Sequence, residues 1–474
     1  MKKRFLTLAM ALSCVIALTF AIAGCSGGGN SGDNTDSNDT HEHVFATEWS
    51  YDATHHYHEC IYDDCNEITD KGEHTYYDKK CTTCGYVKSS EGLAFELNAD
   101  GESYKLTDIG TCTDTDVVVP ATYENLPVTT LGFGAFQDAP ITSVVIPNSV
   151  TTMENNVFSG CTSLTSVSLS NNITSISTNA FKNCTSLTSL TIPEGVTTIA
   201  KDAFNSCNLE RLDIPASITT IYEAFNYSKI KEVNVTDIGA WCNITFCNNK
   251  GNYNLQSNPL FTGKATLLLN GKIVTDLVIP NGVTEIKPGT FANNYNYPNT
   301  SIKSVTIPSS LSKIGKEAFA NYKGIESVYI TDVAAWCKID FAEENSNPLA
   351  TTRSNVTTKL YVNGEIVTDL VIPEGVTEIK PFAFQNCTQL TSVTIPSTVT
   401  TIGDKAFRYC ENLKTVNIPN SVKNINDQAF FNCSALTDIN FDGTTTEWQG
   451  ITKNYWLNPT GQCTIHCTDG ELKP

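Results

Sequence analysis

Histidine is almost missing from most of this chain. Six of its seven histidines (His41, His43, His55, His56, His58 and His74) precede residue 75, and only His466 follows. Imidazole-based catalysis therefore has almost nothing to work with in the last four-fifths of the sequence. Positive charge is also scarce. Lys and Arg total 31 against 50 Asp and Glu, a net charge of −19, which argues against nucleic acid or an anionic membrane surface as the main partner, since both attract basic faces. No G-x-S-x-G elbow, phosphate loop or dinucleotide glycine pattern is present. Carboxylate pairs such as Glu343-Glu344 fall on predicted loops. These absences predict a protein that is not an enzyme. The 18 cysteines are too dispersed for a dense disulfide framework. Hydrophobic residues, at 40%, suffice for a sizeable core and exclude wholesale disorder. Length alone, 474 residues, would suggest about three domains.

The one long apolar run comes first. Met1-Lys2-Lys3-Arg4 is a basic leader, and Phe5 to Ala23 is uncharged and apolar. The run is long enough to cross a bilayer, which takes about 20 residues, but its end argues for cleavage. Ile22-Ala23-Gly24-Cys25 resembles the lipobox of bacterial lipoproteins. That resemblance implies a signal peptide over 1–24, lipidation of the Cys25 thiol, and display on the extracytoplasmic face of the cell membrane through the lipid anchor. The rest of 25–40 has no apolar side chain after Cys25; it cannot repay its ordering entropy and reads as a flexible linker.

Residues 41–88 concentrate the remaining histidines with two cysteine knuckles, Cys60/Cys65 (C-x4-C) and Cys81/Cys84 (C-x2-C-G). Gly85 supplies the positive φ that closes the second knuckle. A segment this short has little core, so a metal or disulfides must supply much of its stability. Three readings stand. Cys60, Cys65, Cys81 and Cys84 can hold one tetrahedral structural zinc. They can form disulfides, which the compartment permits, because C-x4-C departs from the usual spacing. Or His58 or His74 replaces one cysteine. Catalytic zinc is not expected, because four thiolates leave no open position, and His41-Glu42-His43 and His58-Glu59-Cys60 miss the H-E-x-x-H spacing. The segment resembles the zinc-ribbon-like modules of secreted bacterial proteins.

From residue 89 onward the chain repeats itself. A strand ending in Ile-Pro, then Val-Thr-x-Ile, then Ala-Phe-x-x-Cys-x-x-Leu recurs. The apolar residue closing each strand falls at Val119, Ile146, Leu169, Ile192, Ile214, Val235, Ile279, Ile307, Ile330, Ile372, Ile395, Ile418 and Phe441, with 23-residue steps such as 146, 169, 192. Val393 and Ile395 alternate with polar neighbours, the mark of a half-buried strand. Proline ends the strand because it offers no amide hydrogen, and Phe158, Phe181, Phe204, Phe384, Phe407 and Phe430 are placed to fill the coil's centre. One such repeat cannot bury its apolar face alone; a stack can. The expected fold is a solenoid with one short strand per turn in a parallel sheet. The repeat cysteines, among them Cys161, Cys184, Cys207, Cys387, Cys410 and Cys433, stack in register, either as buried thiols or, between neighbouring turns, as disulfides. These motifs resemble the BspA-like leucine-rich-repeat proteins, a family of bacterial surface proteins several of which are linked to adhesion. The resemblance implies binding of an extracellular protein or glycan without naming it.

Two intervals are nearly doubled, Val235 to Ile279 and Ile330 to Ile372, and their contents match. T-D-I-G-A-W-C corresponds to T-D-V-A-A-W-C, both continue through Ser-Asn-Pro-Leu, and both carry an Asn-Gly pair between apolar runs, a hairpin signal. They read as inserts over about 236–271 and 331–364, with a third copy over about 442–474, containing Trp448, as a C-terminal cap. Trp241, Trp336 and Tyr253 in the inserts are candidate partner contacts, since aromatics concentrate in binding hot spots; the competing reading is that they seal the inserts' own cores. The expected function is a lipid-anchored binding or adhesion protein. The alternative, drawn from the histidine-rich module, is an extracytoplasmic metal-binding lipoprotein.

Overall fold

The computed structural model describes residues 43–473 apart from 53, 63–64, 78–79, 264, 295, 297–299, 351–356 and 459–462. The signal peptide, Cys25, the linker and His41 lie outside the described residues. The chain divides into two units, Met1–Tyr86 and Val87–Pro474. Among the described residues no helix is long and apolar enough to cross a membrane.

The second unit is a parallel β-solenoid of about 15 turns. Two strand columns run along it. In one, Ser392–Thr394 pairs in parallel register with Asp369–Val371 on one side and Thr415–Pro419 on the other. In the second, Thr401–Ile402 lies between Glu378–Ile379 and Asn424–Ile425. All thirteen strand-closing residues named above are buried. The six phenylalanines are fully buried, and their rings stack turn upon turn: Phe407 lies 5.3 Å from Phe384 and 5.2 Å from Phe430, nearly parallel to both.

The repeat cysteines are free and buried. Each thiol has a second task beyond filling space. Cys161, Cys184 and Cys207 donate to the carbonyls of Phe136, Phe158 and Phe181 one turn back, at 2.8, 3.0 and 2.8 Å. Burial pushes the Cys161 and Cys207 thiols up to about 12. The turn around each Ala-Phe is tight enough to require two left-handed residues, for example Asn179 and Asn183 (φ 56° and 61°) and Asp202 and Ser206 (φ 54° and 59°). Asn and Asp tolerate that conformation better than most side chains, which explains why they recur there.

The doubled intervals are not departures from the coil. Thr266–Leu269 pairs in parallel with Glu232–Val235, and Lys359–Val362 pairs in parallel with Ser327–Ile330. Each interval therefore contributes a turn of its own, so the thirteen turns counted from the repeat phrase undercount the stack. After that turn the strand folds back on itself. The Asn270-Gly271 and Asn363-Gly364 pairs, all four at positive φ, make tight antiparallel hairpins to Lys272–Ile273 and Glu365–Ile366. The hairpin strand occupies the sheet edge, and a new sheet starts with the following turn.

The third copy also folds back as an antiparallel hairpin, Thr464–Cys467 against Gly470–Leu472, through a different turn. Here His466 sits between two carboxylates, with Nε2 2.9 Å from Asp438 and Nδ1 3.0 Å from Glu471. Those partners, Asp438 first, raise its pKa, while Lys473 donates nearby to Thr464. Because the folded value lies above the ordinary 6.5, the stabilising contribution is fully present below about pH 6.5 and fades as pH rises through the raised value. Amide exchange of residues 464–472 should therefore quicken between neutral and mildly alkaline pH, beyond the intrinsic exchange rate. His466→Gln should remove that dependence, and an unchanged profile would show the pairs to be idle.

Candidate functional site

The solenoid's first column presents one face to the core and the other to solvent. In the central block, Leu277, Val305, Val328 and Leu360 point inward and are buried. The alternate positions, Val278, Thr306, Tyr329 and Tyr361, lie side by side in register, and Ile366 of the hairpin continues the row opposite Tyr361. The two tyrosine rings stack at 4.8 Å. At the ends of the row Val278 is 55% and Ile366 41% exposed, giving an apolar and aromatic stripe interrupted by Thr306; Val145 and Val371 are exposed at the corresponding position of the neighbouring blocks. In the C-terminal block the same position carries a hydrogen-bonded ladder: Asn440 Nδ2 donates to Asn417 Oδ1 at 2.8 Å, and Asn417 Nδ2 to Thr394 Oγ1 at 3.0 Å. A shallow depression lies over Ser397, Asn417, Pro419, Asn440 and Asp442. Carboxylates border this face in fixed orientation. Asp276 accepts from Ser304 (2.6 Å) and Thr275, and Asp369 from Ser392 (2.5 Å), Thr368 and Thr391. Those hydroxyl donors hold both carboxyls below the usual range.

The proposed aromatic contacts on the inserts are corrected by their burial. Trp241 and Trp336 are each 1% exposed, so neither can meet a partner. Each crowns a short helix, Ile238–Cys242 or Val333–Cys337, whose N-terminus is capped by the aspartate of the shared Thr-Asp pair, Asp237 or Asp332. The indole N–H then donates across to the next block: Trp241 Nε1 to Thr290 O at 3.1 Å, Trp336 Nε1 to Ala383 O at 2.8 Å. Tyr253 is half-buried, and its hydroxyl donates to Glu317 at 2.9 Å. The residues that do face outward, Tyr329 and Tyr361, sit on ordinary strands. Tyr361 belongs to the turn hidden inside the second doubled interval.

In the first unit the four knuckle cysteines do not converge. Cys60 and Cys65 group with His43, and Cys81 and Cys84 group with His56 and His74. Strand geometry separates them. Strands His55–Glu59 and Ile68–Glu73 run antiparallel, with His56 opposite Gly72 near one end and Glu59 opposite Ile68 at the other. Four residues of extended chain from His56 to Cys60 span roughly 14 Å. At the far end, a bridge between Phe45 and Cys60 brings His43 alongside, with Nδ1 3.1 Å from Cys65 Sγ. At the near end, a two-residue pairing of Tyr76–Tyr77 with Lys80–Cys81 turns the second knuckle back onto His74, whose Nδ1 lies 3.4 Å from Cys84 Sγ. Cys81 Sγ is 3.9 Å from His56 Nδ1.

His74 was weighed from sequence as a replacement for a knuckle cysteine; His56 and His43 were not, and His58, which was, lies elsewhere. A register shift between His56 and His58 breaks the strand's alternation. His56 therefore turns inward, while His58 Nδ1 donates to the Glu48 carbonyl and its ring stacks on Trp49 at 4.0 Å. His56 can approach because Gly72 faces it: a Cβ there would lie 3.0 Å from His56 Nε2.

A continuous phenylalanine-cored coil with a parallel strand in every turn defines a leucine-rich-repeat solenoid. The chain belongs to the family described as BspA type leucine rich repeat region, which matches residues 129–252, 265–347 and 354–454 in six copies. Among solved structures, the chain is similar to a leucine-rich repeat protein from Bacteroides ovatus (17% identity, covering 80% of this chain and 99% of that one, TM-score 0.41). It is also similar to a leucine rich cell surface protein from Faecalibacterium prausnitzii (24%, 77% and 97%, TM-score 0.26) and to the pneumococcal vaccine antigen PcpA (16%, 81% and 99%, TM-score 0.30). No curated protein matches the sequence.

Proposed function

We propose that this chain is a lipid-anchored binding protein displayed outside the cell, with the solvent face of the solenoid's first column as its recognition surface for an extracellular protein or glycan. The observation that carries this reading is the stripe Val278, Tyr329, Tyr361 and Ile366. It combines stacked aromatics with exposed aliphatics, held by strands whose inner faces are closed against a continuous core. Rigid aromatic side chains on a preorganised surface bind with little entropic loss. The lipobox ending at Cys25 and the family's association with bacterial surfaces support the address.

The test is a binding screen of the chain from Ser26 onward against matrix proteins, mucins and bacterial surface polymers, followed by the double change Tyr329→Ala and Tyr361→Ala. Loss of two hot-spot rings should weaken binding by roughly 30-fold or more. A partner whose affinity ignores both changes uses another surface. The full chain should take up a labelled fatty acid in cells, and Cys25→Ser should abolish that labelling.

A role in metal handling draws on the histidine-rich unit. Among the described residues the buried side chains of this unit are all ligand groups, which suits a resident ion better than one in transit.

A further inference from the structure

The first unit is built without a hydrophobic core. Among its described residues only His56, Cys60, Cys65 and Cys81 are buried, and every one of them belongs to a cysteine and histidine group. Most of its large apolar side chains do not reach an interior: Val44, Tyr51, Ile61, Tyr62, Ile68 and Tyr76 are exposed, while Phe45, Trp49, Tyr57 and Tyr86 are half-buried. Three strands of such a unit cannot repay their ordering entropy by burial of apolar surface. Something else must join the side chains at its two centres.

We infer that this unit holds two separate zinc ions, one bound by His56, His74, Cys81 and Cys84 and the other by His43, Cys60 and Cys65. In the first group the four ligand atoms all lie within 4.8 Å of one another. Two of the pairs are 3.4 Å (His74 Nδ1 to Cys84 Sγ) and 3.9 Å (His56 Nδ1 to Cys81 Sγ) apart. A tetrahedron with zinc–sulfur bonds near 2.3 Å and zinc–nitrogen bonds near 2.0 Å has edges of about 3.3–3.8 Å, so small movements would complete it. Two thiolates and two imidazoles are a donor set that selects zinc over the hard oxygen-seeking cations.

The surroundings are those of a ligand set too. His74 Nε2 lies 2.9 Å from the Asp52 carbonyl. A carbonyl only accepts, so Nε2 is the donor and Nδ1 is the nitrogen turned to the thiols, the arrangement that orients a metal-binding imidazole. Asp52 is itself fixed, accepting from the Thr54 and His55 amides at 2.7 Å. Tyr86 stacks on the His74 ring at 4.6 Å, and the open flank of Gly72 admits the His56 ring. Gly85, at φ +77°, closes the knuckle. The second group offers three protein ligands from the described residues, with His43 Nδ1 already 3.1 Å from Cys65 Sγ. This inference is independent of what the solenoid binds.

The experiment is metal analysis of the chain purified from Ser26 onward, which keeps every described residue. Two zinc per chain are expected. Cys81→Ser with Cys84→Ser, or His74→Ala alone, should each remove one zinc and leave the other; Cys60→Ser with Cys65→Ser should remove the other. A single zinc lost entirely on changing either knuckle would overturn the inference in favour of one four-cysteine site. No zinc, with a mass lower by about two daltons per knuckle than the reduced chain, would overturn it in favour of disulfides. Should a variant unfold the unit, cobalt substitution of the unaltered chain still decides. Absorption of two tetrahedral cobalt ions per chain, each with thiolate-to-metal charge transfer, supports two mixed sites; one ion per chain refutes them.

Discussion

Changing Phe407 to alanine should destabilise the turns around it by about 3–5 kcal/mol, the usual cost of emptying a buried phenylalanine site. The expected effect lies at the upper end because the site cannot collapse. Phe407 is fully buried between Phe384 and Phe430, and the spacing of those neighbours is fixed by parallel strand pairs in both columns. The Phe407 amide itself donates to Ala429 O at 2.8 Å, and Phe384 N to Ala406 O at 2.8 Å, so the backbone cannot close over the gap. Because each turn touches only its neighbours, the loss should stay local. Amide exchange should accelerate across residues 384–430 and hardly change around Phe158, Phe181 and Phe204. Cys410→Ala in the same turn removes a smaller volume and one thiol-to-carbonyl hydrogen bond of 3.2 Å, so about 1–2 kcal/mol is expected. A Phe407 variant as stable as the unaltered chain would mean the rings are not what closes the coil.

That column of rings was legible in the sequence because each letter of the repeat phrase does one job on one face. Val393 and Ile395 alternate inward, proline stops the strand, Phe407 fills the axis, and 23-residue spacing carries the pattern forward. Period and register are local properties, and local properties survive reading from sequence alone. What was not legible depended on register changes. The turn inside each doubled interval lacks the Ala-Phe phrase, so Leu267 and Leu360 pass for hairpin residues although each pairs with the preceding turn. Tyr361 was lost with it. In the first unit, two knuckles in sequence suggested one metal, because spacing along the chain carries no information about a strand that holds the knuckles at opposite ends. The irregularity that sends His56 inward and His58 outward leaves no mark in the string His55-His56-Tyr57-His58.

The matched Trp-Cys and Ser-Asn-Pro-Leu segments are best understood as joints, and removing one should split the solenoid's unfolding in two. After each hairpin the sheet stops: Lys359–Val362 pairs with Glu365–Ile366 rather than with the next turn's Asp369–Val371. Asp340–Phe341 likewise ends its column. Backbone ladders that carry cooperativity elsewhere do not cross this boundary. Side chains of the insert and a backbone hydrogen bond cross it instead. Trp336 Nε1 donates to Ala383 O at 2.8 Å, Asn347 Nδ2 to Phe382 O at 2.7 Å, and the Lys380 amide to Cys337 O at 3.1 Å. Glu344 reaches Gln385 and Arg408. The first joint repeats the device with Trp241, Asn258 and Lys287. Trp336→Phe combined with Asn347→Ala keeps most of the apolar volume but deletes two buried donors, at about 1–3 kcal/mol each. In a quasi-one-dimensional stack, coupling between blocks is the nearest-neighbour interface term, so a loss of that size should turn a shared transition into two. Thermal unfolding followed by near-ultraviolet dichroism, with exchange mapped on either side of residue 365, distinguishes the outcomes. Two transitions separating at that boundary are expected. One transition at an unaltered midpoint would show that the continuous apolar core alone couples the blocks and that the tryptophans are merely filling.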